Sequence, residues 1–238
     1  MKRLAALLLV AACAAAEPPE AGSAGADVTG DIPFANAPGT IYAPRAAPTP
    51  ILRGGFQAAV ETPSKGGVCN DPRLVGETIA PITSSRAGCG IAKPVSITAV
   101  SGVALSQPIR VGCGVARALA DWTEQSAKPA AARSIGAALT RMNTVASYSC
   151  RTRNSRPGAR LSEHAKGNAV DIAGFSFAGG QEVSVLRGWD GTGRHFLRQV
   201  WRDACGPFGT VLGPDSDRFH RDHFHLDVAR HFGGPYCR

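Results

Sequence analysis

Several features that would assign a function at once are missing from this chain. Its seven cysteines include no CxxC pair, so a thiolate metal site of the zinc-ribbon kind has no ligands to draw on. It has no dense Lys/Arg run and no basic segment interleaved with aromatics, which argues against nucleic acid as a partner in spite of a formal charge of +8. The G-x-S-x-G elbow of the serine hydrolases does not occur, and neither does any internal repeat. The apolar run LAALLLVAA at the N-terminus is too short to cross a bilayer as a helix, which takes about 20 residues. Aromatic residues make up only 6% of the chain.

What is present points to export. MKR is a short positive region, and the apolar run that follows makes it an export signal, ending in Val10-Ala11-Ala12-Cys13. Small residues directly before a cysteine resemble a bacterial lipobox, in which residues 1–12 are removed and Cys13 becomes the lipidated N-terminus. An ordinary cleavage nearby, with Cys13 lost, is the alternative. Loss of Lys2 and Arg3 takes the formal charge from +8 to +6. A basic exported chain suits an anionic surface such as a cell wall or membrane. The residue after Cys13 is Ala14 rather than Asp, which agrees with sorting to the outer membrane. Six cysteines remain, an even number that suggests disulfides and allows 15 connectivities. Pairing between sequence neighbours predicts Cys69–Cys89, Cys113–Cys150 and Cys205–Cys237.

Residues 13–60 are rich in Ala, Pro and Gly without apolar periodicity, and read as a flexible tether with a mean reach of about 35–40 Å. A loosely packed surface arm is the other reading. A folded domain is expected over 61–238, large enough for one core. Strands are expected at 94–105, 140–151, 168–177 and 223–228, with 182–189 pairing to 168–177 across a turn at Ala178-Gly179-Gly180-Gln181. Helices are expected at 113–126, where Val115, Leu119 and Trp122 recur at helical spacing and Arg117 and Asp121 form an i,i+4 pair, and at 193–206. The sum is an α+β fold with a small antiparallel sheet and a few packed helices. The three tryptophans read as core, and Arg194, Arg198 and Arg202 as a solvated helix face.

Five of the six histidines fall after residue 190, three of them within six positions. In a strand, alternate side chains share a face, so HFHLDV sets His223, His225 and Asp227 opposite Phe224, Leu226 and Val228. In NAVDIAGF the same rule sets Asp171 opposite Val170 and Ile172, on an otherwise apolar strand where a free carboxylate is costly to bury. His164 precedes it, and Gly167 can turn the chain to bring the two together. Two imidazoles and a carboxylate with a fourth position open form the donor set of a catalytic zinc site, and His223 is placed to take a proton. A metal-free hydrogen-bonded His–Asp cluster is the competing account.

Ser162-x-His164-x-x-Gly167-x-Ala169-x-Asp171, followed by His223-x-His225, resembles the signature of the lysostaphin / D-Ala-D-Ala metallopeptidase group. More closely, SYSCRTRN, LSEHAKGNAVDIAGF, FGTVLGP and HRDHFHLD, with Cys237 at the end, resemble the bacterial extensin-like C-terminal domain family over roughly residues 65–238. The resemblance implies a small hedgehog/DD-peptidase-like core. It implies His164, Asp171 and His225 as Zn²⁺ ligands, and His223 as base or transition-state stabiliser. Arg151 becomes a substrate contact, with Arg153 in reserve. The wider group cuts peptidoglycan stem peptides or cross-links, and it also includes hedgehog-type domains whose zinc site serves binding. Where some members place a catalytic Glu this chain has Asp222, which by alternation points away from His223. Glu163 and Glu182 are lesser candidate bases. Ser162 supports a ligand or caps the turn. His220 is a second supporting candidate, although its loop position points to the surface.

The expectation is a monomeric zinc metallopeptidase, an endopeptidase in mode, anchored by lipid at the periplasmic face of the outer membrane and acting on peptidoglycan. A non-catalytic, zinc-stabilised wall-binding module is the alternative.

Overall fold

The computed structural model describes residues 67–238. The expected signal segment, Cys13 and the whole of the tether lie outside the described residues. Within them no helix is long and apolar enough to cross a membrane.

The chain forms a mixed α+β structure around one nine-stranded sheet. Strands β1 (Leu74–Thr78), β2 (Pro94–Val100) and β3 (Val103–Gly112) form an antiparallel meander. The expected single strand over 94–105 is two strands. Ser101 and Gly102 take positive φ of 50° and 79° and make a tight hairpin turn, a conformation that matches the twist of the paired strands. Helix α1 (Cys113–Trp122) runs on through one wide turn at Thr123–Ala127 into α2 (Lys128–Ser134), so the helical stretch is longer than the expected 113–126. It leads to β4 (Leu139–Ala146), which lies parallel to β3. The last five residues of the expected strand over 140–151 fall outside it.

Strand β5 (Ala169–Phe177) is the centre of the sheet. It pairs with β4 along one edge, and with β6 (Glu182–Ser184) and β8 (Phe224–Asp227) along the other. Only three residues of the expected strand over 182–189 pair with it. Residues Val185–Gly188 form the short helix α3. The turn into β6 is built on Gly179 and Gly180, and the Phe177 amide donates to the Gln181 carbonyl. Helix α4 (Arg194–Ala204) follows, then β7 (Thr210–Leu212), β8 and β9 (Tyr236–Cys237). Strand β7 pairs antiparallel with β8 and parallel with β9. The sheet is thus larger than expected and carries two parallel pairings.

One apolar core lies between the sheet and the long helices. Val170 and Ile172 enter it from β5, Phe224 and Leu226 from β8, and Val115, Leu119 and Trp122 from α1. Phe175 and Phe177 enter it too, although simple alternation from Ile172 would send them to the other face. The register between β4 and β5 slips where Asn143 and Thr144 oppose Gly174 and Ile172, leaving Ala173 as the extra residue of a bulge. Phe175 packs edge-on against Phe196 at 5.0 Å, and the Trp122 indole donates to the Val200 carbonyl at 2.8 Å. All three tryptophans are core or border it, with Trp201 only partly buried.

Three local expectations change. Arg117 does not pair with Asp121. Its guanidinium donates to the Cys69 carbonyl, while Arg73 bonds both Asp71 and Asp121 and so takes Asp121 away. Two disulfides also differ from the neighbour rule. Cys69 joins Cys113 and Cys89 joins Cys150, while Cys205 joins Cys237. The β1–β3 meander folds the chain back so that the turn holding Cys69 meets the start of α1. The loop holding Cys89 lies over the turn that carries His164, where the Gly90 amide donates to the Ala165 carbonyl, and this puts it beside Cys150. On the helix face, Arg198 is not merely solvated. It bonds Asp190 and Asp215 and lies 4.4 Å over the Trp189 ring.

Candidate metal centre

On the face of β5 and β8 turned away from the helices, side chains from three separate segments converge. Asp171 stands directly across the ladder from His225. His164 arrives from a single 3₁₀ turn, Glu163–Lys166, which Ser162 caps by accepting the His164 amide. Gly167 ends that turn at a φ of 68°, in the left-handed region, and redirects the chain into β5. Both oxygens of Glu163 are used locally, by Lys166 at 2.9 Å and by the Asn168 amide at 2.9 Å, so the carboxylate braces the turn rather than serving as a free base. Glu182 sits on β6 and does not line the cleft described below.

Three atoms meet at the centre. His164 Nε2 lies 3.1 Å from Asp171 Oδ1 and 3.1 Å from His225 Nδ1, and His225 Nδ1 lies 2.9 Å from Asp171 Oδ1. All three residues are buried. The outer nitrogens fix what these atoms can be. His164 Nδ1 is 2.6 Å from the Ser147 carbonyl, which only accepts, so that nitrogen carries the proton. His225 Nε2 is 3.0 Å from Asp227 Oδ2 and donates to that carboxylate. With both rings neutral, two nitrogen lone pairs and a carboxylate oxygen therefore face one another, an arrangement that either a proton or a metal ion between them would relieve. Donors about 2.0–2.1 Å from a tetrahedral zinc stand about 3.3 Å apart, close to the triangle seen here. A hydrogen bond from each ring's far nitrogen to a carbonyl or carboxylate is also how metal-bound histidines are held. The donor set fits zinc.

The electrostatics agree. Burial opposes ionisation of Asp171, but hydrogen bonds from His164 and His225 hold it well below the usual carboxylate range. Burial likewise disfavours the charged form of His225, yet Asp171 and Asp227 outweigh it and lift the ring to about 9. A proton on His225 and a metal ion would therefore compete for the same position.

His223 stands just before β8. Strand alternation does not extend to Asp222, and its carboxylate turns back to bond His223 Nδ1 at 2.8 Å instead of pointing away. That contact leaves His223 Nε2 facing the centre, 3.7 Å from Asp171 Oδ2. His220 is buried, contrary to the surface position expected for it. Asp217 holds its Nδ1 at 2.8 Å, and its ring packs 5.3 Å from His223 and 5.8 Å from His225. Burial keeps His220 below its ordinary value. These groups line a cleft of about 640 Å³, which Arg151 and Arg153 also line. Sequence reasoning gave Asp227 a face but no role. Its place two residues after His225 on one strand was the available signal. The Ser147 carbonyl had none, because any residue carries one.

The fold and site together define an α+β protein with a three-donor His/Asp/His centre at the floor of an open cleft. The family described as extensin-like protein C-terminus matches residues 71–238, and the chain belongs to it. No curated protein and no solved structure matches the chain.

Proposed function

We propose that the protein is a zinc-dependent hydrolase of peptidoglycan peptides, an endopeptidase related to the lysostaphin / D-Ala-D-Ala metallopeptidase group with a hedgehog/DD-peptidase-like core. In this reading it is lipid-anchored through Cys13 at the periplasmic face of the outer membrane. One observation carries the catalytic part: two imidazoles, each tied down by its far nitrogen, and one carboxylate point their lone pairs at a single position on the floor of an open cleft.

His164, Asp171 and His225 hold the metal. When bound there, zinc supplies Lewis acidity, polarising a peptide carbonyl and acidifying water. His223 does the proton work. Asp222 fixes the proton on its Nδ1 and leaves Nε2 free to accept one from the attacking water and pass it to the departing amine. Arg151, on the cleft wall, seats a substrate carboxylate. A half-buried His223, oriented beside the centre and lining the cleft, favours turnover over the alternative of a wall-binding module without activity.

The test is digestion of purified sacculi. Wild-type protein should release new muropeptides, lose that activity with a chelator, and regain it with zinc. His223→Ala should retain zinc and lose most of the rate. Wild-type protein that holds zinc and binds wall but releases nothing refutes the enzyme reading and leaves the binding module.

A further inference from the structure

Away from the metal centre the same cleft is walled by two exposed aromatic rings, each with a guanidinium on its face. Phe219, in the loop between β7 and β8, is 38% exposed, and the Arg218 guanidinium lies 4.8 Å from its ring centre. Tyr236, the first residue of β9, is 44% exposed and carries Arg238 at 5.2 Å. Neither is a loose tail contact. The Tyr236 amide donates to the Gly209 carbonyl and the Arg238 amide to the Val211 carbonyl, so the segment is laced to β7. The Cys205–Cys237 bond fixes it between those two residues. Asp217 accepts the Phe219 amide at 2.7 Å, which sets the other ring. An arginine lying on an aromatic face loses less freedom when it binds an anion, because the ring has already restricted it.

These arginines are unspent. Among the described residues, Arg218 and Arg238 form no salt bridge, and neither do Arg151 and Arg153, which line the cleft itself. The carboxylates nearest the centre are all engaged: Asp171 and Asp227 by His225, Asp217 by His220, and Glu163 by Lys166 and Asn168. The guanidiniums beside Phe219 and Tyr236 therefore have no salt-bridge partner among the described residues and stay available to an anion at the cleft's edge.

We propose that the Arg218–Phe219 and Arg238–Tyr236 pairs form a specificity wall that selects a peptide with more than one free carboxylate. Carboxylates sit on the two guanidiniums, and the aliphatic part of the chain lies along the rings. This rests on the cleft being the peptide site proposed above, and it adds which peptides are taken. Single-anion recognition at Arg151 does not require this wall.

The experiment measures binding of two synthetic stem peptides by the zinc-loaded full chain. One has free side carboxylates, and the other has the same sequence with those carboxylates amidated. Wild-type protein should prefer the acidic peptide by about tenfold, one charge-assisted contact's worth, with the preference shrinking as salt is raised. Arg218→Gln/Arg238→Gln should bind both peptides alike while keeping wild-type zinc content and melting temperature. Equal binding of the two peptides by wild type overturns the proposal, and so does a double variant that still prefers the acidic one. Binding of neutral chito-oligosaccharide that Phe219→Ala abolishes, without any carboxylate preference, overturns it in favour of a sugar platform. Muropeptide release without discrimination between the peptides sinks the wall and spares the hydrolase. Discrimination without release does the reverse.

Discussion

Replacing Asp227 by asparagine changes one atom and puts two hydrogen bonds in conflict. Asp227 Oδ2 accepts from His225 Nε2 at 3.0 Å, and Oδ1 accepts the Ala229 amide at 2.9 Å. Asparagine has a single acceptor for these two donors. If its oxygen stays with Ala229, its NH₂ faces His225 Nε2. The imidazole must then carry its proton on Nδ1, at the point where His164 and Asp171 converge. If the oxygen turns to His225, the Ala229 amide loses its acceptor at a cost of about 1–3 kcal/mol. Both outcomes weaken the site without removing a ligand. Loss of such an outer contact lowers metal affinity about 10–100-fold, or about 1.4–2.7 kcal/mol. Competition for zinc against a chromophoric chelator reads this directly. A second readout is the titration of His225 in the metal-free protein by NMR. Its midpoint, about 9 in the wild type, should fall in the variant because one of the two carboxylates raising it has become neutral. Wild-type zinc affinity together with a His225 midpoint still near 9 would refute the role given to Asp227.

Further outcomes follow from the same geometry. Metal-free protein should lose stability as pH rises. His225 has a folded value of about 9 against an ordinary 6.5, so its contribution is complete below about 6.5 and lost on passing 9, a change of the order of 3 kcal/mol. Urea denaturation across that range checks this, and a curve that stays flat with chelator present contradicts it. Gly167→Ala forces a side chain into left-handed backbone and against Ile91, which costs about 1–2 kcal/mol in backbone strain alone. Because the turn carries His164, zinc affinity should fall as well, and an unchanged denaturation midpoint would count against the turn's role. Phe175→Ala empties a buried position among Trp122, Phe196 and Phe224 and should cost about 3–5 kcal/mol in the same assay, with zinc stoichiometry intact in whatever fraction stays folded.

The residues of the His164/Asp171/His225 cluster were legible because their chemistry shows against their surroundings. Asp171 interrupts an apolar strand, and His225 stands opposite a core-facing Phe224 and Leu226, so period-two alternation alone puts them on one face. The long elements were readable for the same reason. Boundaries were less so where a single residue decided them. Ser101 in left-handed backbone split one strand into two, and the bulge at Ala173 moved Phe175 to the core face.

By itself the sequence determined which residues could bind a metal and which strand faces would present them, because side-chain alternation is a local property of the backbone. Tertiary structure decided what is adjacent. Cys69 meets Cys113 rather than Cys89 because the meander brings distant turns together. Asp121 answers Arg73 instead of Arg117, and Asp222 turns back to His223 where the strand has not yet begun. The contact that completes the centre, the Ser147 carbonyl on His164, belongs to the backbone of another segment. No side chain announces it, and only the folded chain could supply it.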